Sequence, residues 1–105
     1  MPTAGEVFGK IGERLSKNPE KTAGIDAVYQ FTLDGGDSWF INLRGDTREV
    51  SQDFDGSADC TITMTEGDFL ALTKGDLNPQ MAFMTGKIKV AGDLSKAMKL
   101  QKVLG

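Results

Sequence analysis

Three sulfur and aromatic side chains, Met81, Phe83 and Met84, lie within four positions of one another, and Met98 follows on the next predicted helix. Methionine is unbranched and polarisable, so a wall built from it can change shape around an apolar guest. The chemistry that these residue types offer is packing against hydrocarbon rather than the making or breaking of bonds. The segment therefore predicts a surface that closes over flexible apolar molecules.

Residue types that usually perform catalysis are scarce. The chain has no histidine, which removes the commonest general base near neutral pH and the commonest metal ligand. The single cysteine, Cys60, can form neither an internal disulfide nor a zinc site, and its alternation with Asp59 and Thr61 predicts an inert buried thiol. Asp53, Asp55 and Asp59 surround a predicted turn, where solvated acids are favoured over a weak cation site. The residue types therefore predict neither a metal site nor a catalytic centre.

Size and composition indicate one domain over residues 1–105, long enough for a single modest core. Apolar residues make up 39% of the chain and charged residues 26%, as in an ordinary globular protein. No apolar run approaches the roughly 20 residues that span a bilayer, and the amino terminus lacks a signal-peptide pattern. These features, together with one unpaired cysteine, lead us to expect a cytoplasmic protein.

The net charge of −3 is unevenly distributed. Residues 1–73 carry 6 basic and 13 acidic side chains, a balance of −7, whereas residues 74–105 carry 6 lysines and 2 aspartates, a balance of +4. The acidic bulk disfavours nucleic acid as a partner. The basic end could face a phosphate-bearing ligand or make transient contact with an anionic membrane surface, or its lysines could simply solvate a helix.

The elements that must position these residues follow from the hydrophobic period. Residues 7–15 have helical spacing, and Asn18-Pro19 ends that helix. Between residues 26 and 65 the period is two, with short turns, which predicts an antiparallel meander of four strands. Helical signals then return after a capping sequence at Thr65 and again at Asn78-Pro79. Residues 87–90 alternate like an edge strand, and Asp93 caps a final helix.

This order predicts an α+β fold: one mostly antiparallel sheet with a single layer of about four helices on one face. The connection from the fourth strand to the last strand passes through two helices. Such a long crossover is the natural place for a gap between the sheet and the helical layer.

The run from Gly75 to Asp93, Gly-Asp-Leu-Asn-Pro-Gln-Met-Ala-Phe-Met-Thr-Gly-Lys-Ile-Lys-Val-Ala-Gly-Asp, resembles the hallmark of the sterol carrier protein type 2 domain family. Residues 58–64 and the following Asp68-Phe69 are similar to that family's fourth strand and next helix, and the resemblance covers nearly the entire chain in order. It implies a five-stranded, mostly antiparallel sheet with helices covering one face and an apolar ligand tunnel between the layers.

The resemblance also implies a function: non-catalytic binding and transfer of fatty acids, fatty acyl-CoA, sterols or phospholipids with broad selectivity, and no cofactor. Peroxisomal members end in a Ser-Lys-Leu-like tripeptide, whereas this chain ends Val103-Leu104-Gly105. We therefore keep the cytoplasm as the expected compartment.

The predicted ligand-contacting side chains come from the first helix, the sheet and the later helices. They are Ile11, Leu15, Trp39, Ile41, Phe69, Leu72, Gln80, Met81, Phe83, Met84 and Met98. For each apolar member the alternative is ordinary core packing, and Gln80 could bond a head group or satisfy a helix terminus.

Two other classes of function stay open. An interaction or dimerisation domain could use the same apolar groove, with Leu94, Met98 and Leu104 on the last helix. We expect the protein to be a monomer or a weak dimer. A small isomerase would need a buried acid beside Tyr29, the sole tyrosine, and no acid is obviously inward on a neighbouring strand.

Overall fold

The computed structural model describes residues 3–34, 38–45, 47–53 and 56–99. Within these ranges the chain forms helices and strands in the predicted order, together with a short 3₁₀ helix that the sequence analysis did not predict. The elements are α1 (Ala4–Lys17), the 3₁₀ helix (Pro19–Thr22), β1 (Val28–Leu33), β2 (Ser38–Asn42), β3 (Glu49–Ser51), β4 (Cys60–Met64), α2 (Glu66–Lys74), α3 (Pro79–Met84), β5 (Lys89–Gly92) and α4 (Leu94–Lys99).

The strands form one five-stranded sheet in the order β3-β2-β1-β4-β5. The β1–β2, β2–β3 and β4–β5 pairs are antiparallel, which confirms the predicted mostly antiparallel sheet. The predicted meander is wrong at its last step, because β4 crosses to the free side of β1 and pairs with it in parallel. The register sets Phe31 beside Ile62 and Leu33 beside Met64, so the apolar side chains of both strands share a face. Period-two alternation is the same in parallel and antiparallel pairs, and it could not distinguish them.

Helix α1 covers the half of the sheet that contains β1, β2 and β3. Its helical apolar spacing buries Phe8, Ile11 and Leu15, while Thr3 Oγ1 accepts a hydrogen bond from the Glu6 amide at 3.2 Å and caps the first turn. Phe8 is fully buried. It stacks on Trp39 and on Phe69, contacts the edge of Phe31, and thereby forms the aromatic core: Phe8, Phe31, Trp39 and Phe69.

The later helices begin and end where their caps predict. The Thr65 hydroxyl accepts from the Asp68 amide at 3.0 Å, and Gly75 ends α2 with a left-handed φ of 85°. Asn78 Oδ1 accepts from the amides of Gln80 and Met81, with Pro79 in the first turn of α3. The last strand lies two residues later than predicted. Leu104, named above on the predicted last helix, lies outside the described residues.

The helices share one face of the sheet, as predicted. Phe31 of β1 contacts Phe8 of α1 and Phe69 of α2, and the hydroxyl of Tyr29, two positions earlier on the same face, reaches the backbone of α4. The described elements therefore form two layers, with a well-packed half under α1 and a second half under α3 and α4.

Candidate functional site

An apolar cavity of about 350 Å³ lies between the second half of the sheet and helices α2, α3 and α4. Ligand-binding pockets in proteins typically measure roughly 300–1,000 Å³. The strand residues that line the cavity are Phe31, Ile62, Met64 and Val90, with Ile88 just before β5. The helical residues that line it are Leu72, Pro79, Gln80, Phe83, Met84, Leu94, Ala97 and Met98. Among these residues Gln80 alone carries a polar side chain, so the cavity suits hydrocarbon.

The cavity opens to solvent between α3 and α4. Four of its large apolar side chains are substantially exposed: Phe83 (47%), Leu94 (52%), Met98 (63%) and Met84 (80%). Large exposed apolar patches are uncommon on monomeric proteins and mark surfaces that bind a ligand or a partner. The mouth therefore has the composition of an entrance for an apolar ligand.

The short helix α3 explains why this space is not filled. Its six residues bury one side chain, Ala82, whose methyl group is too small to occupy the gap above the sheet. The Ala82 carbonyl accepts from the amides of Lys87 and Ile88 at 2.8 and 3.2 Å, which fixes the end of the helix against the start of β5. Phe83 and Met84 on the same helix line the cavity instead of packing into a core.

Three hydrogen bonds attach α4 to the sheet at one end. The Tyr29 hydroxyl donates to the Lys96 carbonyl at 2.6 Å, the Cys60 thiol donates to the Asp93 carbonyl at 2.9 Å, and the Asp93 amide donates to the Asp59 carbonyl at 3.2 Å. Burial raises the pKa of both Tyr29 and Cys60, so both groups keep the protons that they donate. The Tyr29 hydroxyl thus has a structural partner, which leaves the isomerase alternative without support from its geometry.

The carboxylate of Asp59, just before β4, contacts groups on three neighbouring parts of the chain. Its Oδ2 accepts from the Val28 amide at 2.8 Å and lies 3.3 Å from Arg44 Nη2, while its Oδ1 lies 3.9 Å from Lys96 Nζ. The Val28 amide in particular holds the pKa of this carboxyl below its usual range. In the part of the chain that the structure describes, no cluster of histidine, cysteine or acidic residues could hold a metal ion. Asp55, the middle member of the weak cation-site alternative, lies outside that part.

The structure brings five of the eleven predicted ligand residues together around the cavity. These are Leu72, Gln80, Phe83, Met84 and Met98. The other six lie elsewhere. Four are buried in the core: Ile11, Leu15, Ile41 and Phe69. Trp39 stacks on Phe8, and Met81 is 58% exposed and does not line the cavity. For the first five of these, the structure indicates the core packing that the sequence left open as the alternative.

Eight lining residues were not predicted from the sequence. They are Phe31, Ile62, Met64, Pro79, Ile88, Val90, Leu94 and Ala97. Ile62 and Met64 alternate with Thr61 and Thr63 along β4, and this period-two alternation is a signal that could have placed them on the inward face. Alternation does not give the strand order, and the strand order puts β4 under α3 and α4 rather than under α1.

The chain is similar to proteins of one known family. The model of the SCP-2 sterol transfer family matches residues 8–105. The chain is 40% identical over 93 residues to hydroxysteroid dehydrogenase-like protein 2 of Xenopus laevis, a match that covers 86% of this chain and 22% of that protein. It is 32% identical over 102 residues to non-specific lipid-transfer protein-like 1 of Caenorhabditis elegans, covering 93% of this chain and 86% of that one. The chain thus spans about a fifth of the length of the first relative and most of the second.

The solution NMR structure of palmitated SCP2L2 from Aedes aegypti superimposes with a TM-score of 0.80 at 26% sequence identity, covering 98% of this chain and 95% of that one. Separately, none of the helices within the described ranges has the length and hydropathy needed to cross a bilayer.

Proposed function

The chain belongs to the SCP-2 sterol transfer family, and we propose that it is a non-catalytic carrier that holds the hydrocarbon part of a lipid in the cavity beneath α3 and α4. The observation that carries the proposal is the cavity itself: about 350 Å³ of space with apolar walls and an apolar mouth. The palmitated mosquito relative, which has the same fold, supports a single fatty acyl chain as one class of ligand.

The energetics suit a reversible carrier. Burying one methylene group contributes about 0.8 kcal/mol, so an acyl chain that buries about twelve of them gains roughly 10 kcal/mol before costs. Loss of translational freedom and ordering of the chain remove several kcal/mol of this gain. Micromolar affinity is therefore within reach without a strong polar anchor. Gln80, at the mouth, could bond the ligand's head group.

Broad selectivity is part of the proposal. A hydrophobic wall distinguishes ligands that differ by one methylene by only about 1–3 kcal/mol. Met64, Met84 and Met98 line the cavity, and their flexible side chains can adapt to fatty acids, fatty acyl-CoA, sterols or phospholipids. We place the carrier in the cytoplasm, where the buried thiol of Cys60 would stay reduced.

Titration of the purified protein with a fluorescent fatty acid in vesicle-free buffer tests the proposal. We expect saturable binding with one site per chain, and native mass spectrometry of the protein as purified should show a retained lipid. Absence of both saturable binding and copurifying lipid would defeat the carrier function.

The cavity can be tested separately from the rest of the surface. Ala97 lines the cavity, so Ala97→Trp should fill part of its volume and weaken fatty acid binding by at least about tenfold, the loss of about two buried methylenes. Ala23, an exposed residue after the 3₁₀ helix, supplies the matched control Ala23→Trp, which should bind normally. Equal affinities in the two variants would place the ligand somewhere other than this cavity.

A second candidate function rests on the exposure of Leu94 and Met98 on α4. These side chains could pack against a partner protein or a second copy of the chain; Leu104, the third residue of that hypothesis, lies outside the described residues. Size-exclusion chromatography at several concentrations, with and without fatty acid, separates the alternatives. Stable dimers that take up no lipid would favour the interaction function.

A further inference from the structure

The methionines of the described chain differ in exposure and in position relative to the cavity. Met84 and Met98 line the cavity and are 80% and 63% exposed at its mouth. Met64, on β4, also lines the cavity but is only 4% exposed. Met81 is 58% exposed and does not line the cavity. Among the described methionines, only Met84 and Met98 therefore combine a thioether that solvent reaches with a position in the wall of the cavity.

The sole cysteine, the residue type that most often senses oxidants, is protected. Cys60 is 1% exposed, and its thiol donates to the Asp93 carbonyl at 2.9 Å. Burial raises the pKa of this thiol, so the thiolate that reacts with oxidants is scarce at neutral pH. Oxidation should therefore begin at the exposed thioethers rather than at the thiol.

Two of the four large exposed side chains at the mouth can change their polarity by oxidation. Phe83 and Leu94 are hydrocarbon, whereas Met84 and Met98 carry a sulfur atom that oxidants convert to a sulfoxide. The sulfoxide replaces a flexible apolar side chain by a polar, chiral one. Oxidation at these two positions would thus make half of the large exposed side chains at the mouth polar.

We propose that Met84 and Met98 are modification sites at which peroxides weaken lipid binding, so that the cavity releases its ligand under oxidising conditions. This inference rests on the proposed carrier function. In the reaction, a sulfur lone pair attacks one oxygen of hydrogen peroxide, the S–O bond forms and the O–O bond breaks. The transferred hydroxyl group loses its proton to the departing hydroxide. The sulfur has then given up two electrons as a sulfoxide, and the peroxide has been reduced to water.

A sulfoxide at the mouth opposes ligand binding in either orientation. If its oxygen is buried against the ligand without a hydrogen bond, the cost lowers affinity by roughly tenfold. If the side chain turns toward solvent instead, the acyl chain loses an apolar contact. Protection acts in the other direction, because a bound acyl chain would cover the sulfur atoms of Met84 and Met98. Met81 lies outside the lining and should gain no such protection.

Limited treatment of the delipidated protein with hydrogen peroxide, followed by peptide mapping with mass spectrometry, tests the sites. We expect Met84, Met98 and Met81 to be oxidised well before the buried Met64. Palmitate should slow oxidation at Met84 and Met98 and leave the rate at Met81 unchanged. Equal protection of all three exposed methionines, or oxidation of Met64 at the same rate, would overturn the inference.

Titration with a fluorescent fatty acid then measures the consequence for binding. Peroxide treatment should lower the affinity of the unchanged protein by roughly tenfold. Methionine sulfoxide reductases for both sulfoxide epimers should restore it. Circular dichroism checks that the treated protein is still folded. A loss of affinity that these reductases do not reverse would overturn the inference.

Variants assign the effect to the two sites. Met84→Leu with Met98→Leu removes both thioethers but keeps apolar side chains, so peroxide should leave this protein's own untreated affinity unchanged. Met81→Leu is the matched control, because it removes an exposed thioether outside the lining. It should lose as much affinity on treatment as the unchanged protein does. Each variant is compared with its own untreated form, so the comparison does not depend on how well leucine replaces methionine.

The outcomes distinguish this inference from the carrier function. Normal fatty acid binding that survives complete oxidation of Met84 and Met98 would overturn the inference and leave the carrier function intact. An equal loss of affinity in the Met84→Leu and Met98→Leu double variant would have the same meaning. Absence of saturable binding before any treatment would overturn the carrier function, and this inference with it.

Discussion

The two halves of the helical layer pack differently on the same sheet: one forms a filled core, and the other leaves a cavity. Under α1, a helix of 14 residues, the aromatic core is tightly packed, with ring centroids 4.6–5.8 Å apart. Under α3 and α4, of six residues each, the described helices bury one side chain, Ala82, and leave about 350 Å³ open. The difference between a core and a binding site here is the number of large inward side chains that each helix supplies.

The two halves should also divide folding and binding between them. Regions of low local stability commonly carry the motions of binding, while densely packed regions supply the free energy of folding. The half under α1 should therefore determine whether the chain folds, and the half under α3 and α4 should determine what it binds. Substitutions of the same kind in the two halves test this division directly.

The largest expected effect comes from removing a ring in the packed half. Phe8 is fully buried and contacts the rings of Phe31, Trp39 and Phe69, so Phe8→Ala should lower the free energy of unfolding by about 3–5 kcal/mol. The matched control, Phe83→Ala in the open half, removes a ring that is 47% exposed and should cost less than about 1 kcal/mol. Urea unfolding of both variants measures the difference, and similar costs would remove the basis of the comparison.

The attachment of α4 should be sensitive to one backbone position. Gly92 has a φ of 102°, and a Cβ atom there would clash with the carbonyl oxygen of Asp59. Gly92→Ala should therefore lower the free energy of unfolding by about 2–3 kcal/mol and disturb the start of α4. Gly9→Ala on α1 is the control, because no neighbouring atom lies within 4 Å of its Cβ position and alanine favours a helix by about 1 kcal/mol. A tolerated Gly92→Ala would show that β5 can shift without loss.

Tyr29→Phe removes the hydroxyl that ties α4 to β1, and we expect a loss of about 1 kcal/mol at neutral pH. The pH dependence identifies the cause. Burial raises the pKa of Tyr29 above its ordinary value of 10.0, so the unfolded chain loses this proton first and the folded protein loses stability as the pH rises above 10. The variant lacks that loss, and the difference between the proteins should shrink above about pH 10. Cys60 is present in both proteins and contributes equally.

Urea midpoints of the two proteins at neutral and alkaline pH measure this convergence. A gap that stays constant above pH 10 would mean that the buried hydroxyl is not the titrating group.

Local signals made most of the element order predictable. A cap at Thr65, Asn78 or Asp93 depends on amides two or three residues away, and each of these side chains makes the expected bond. The place of β4 depends instead on residues far apart in sequence: the Asp59 carboxylate accepts from the Val28 amide, 31 positions earlier. No local pattern records such a contact, which is why the meander prediction failed there.

The binding site was only partly predictable for a related reason. Ile41 and Ile62 both alternate inward on their strands, yet Ile41 is buried in the core and Ile62 lines the cavity. Their positions differ because different helices lie above them, and the strand order determines which helix covers each strand. Residue type was more informative on α3, where Phe83 and Met84 are large, apolar and too close to the mouth to be buried.

The smallest expected change in stability is at Met98, where an effect on ligand binding can be measured with almost no effect on folding. Met98 lines the cavity and is 63% exposed, so Met98→Ala should change the free energy of unfolding by no more than about 0.5 kcal/mol. Met81→Ala is matched in type and exposure but lies outside the lining. Because Met98 would contact the ligand and Met81 would not, fluorescence titration should show several-fold weaker fatty acid binding for Met98→Ala only. Equal affinities in the two variants would mean that α4 bounds the cavity without contacting what fills it.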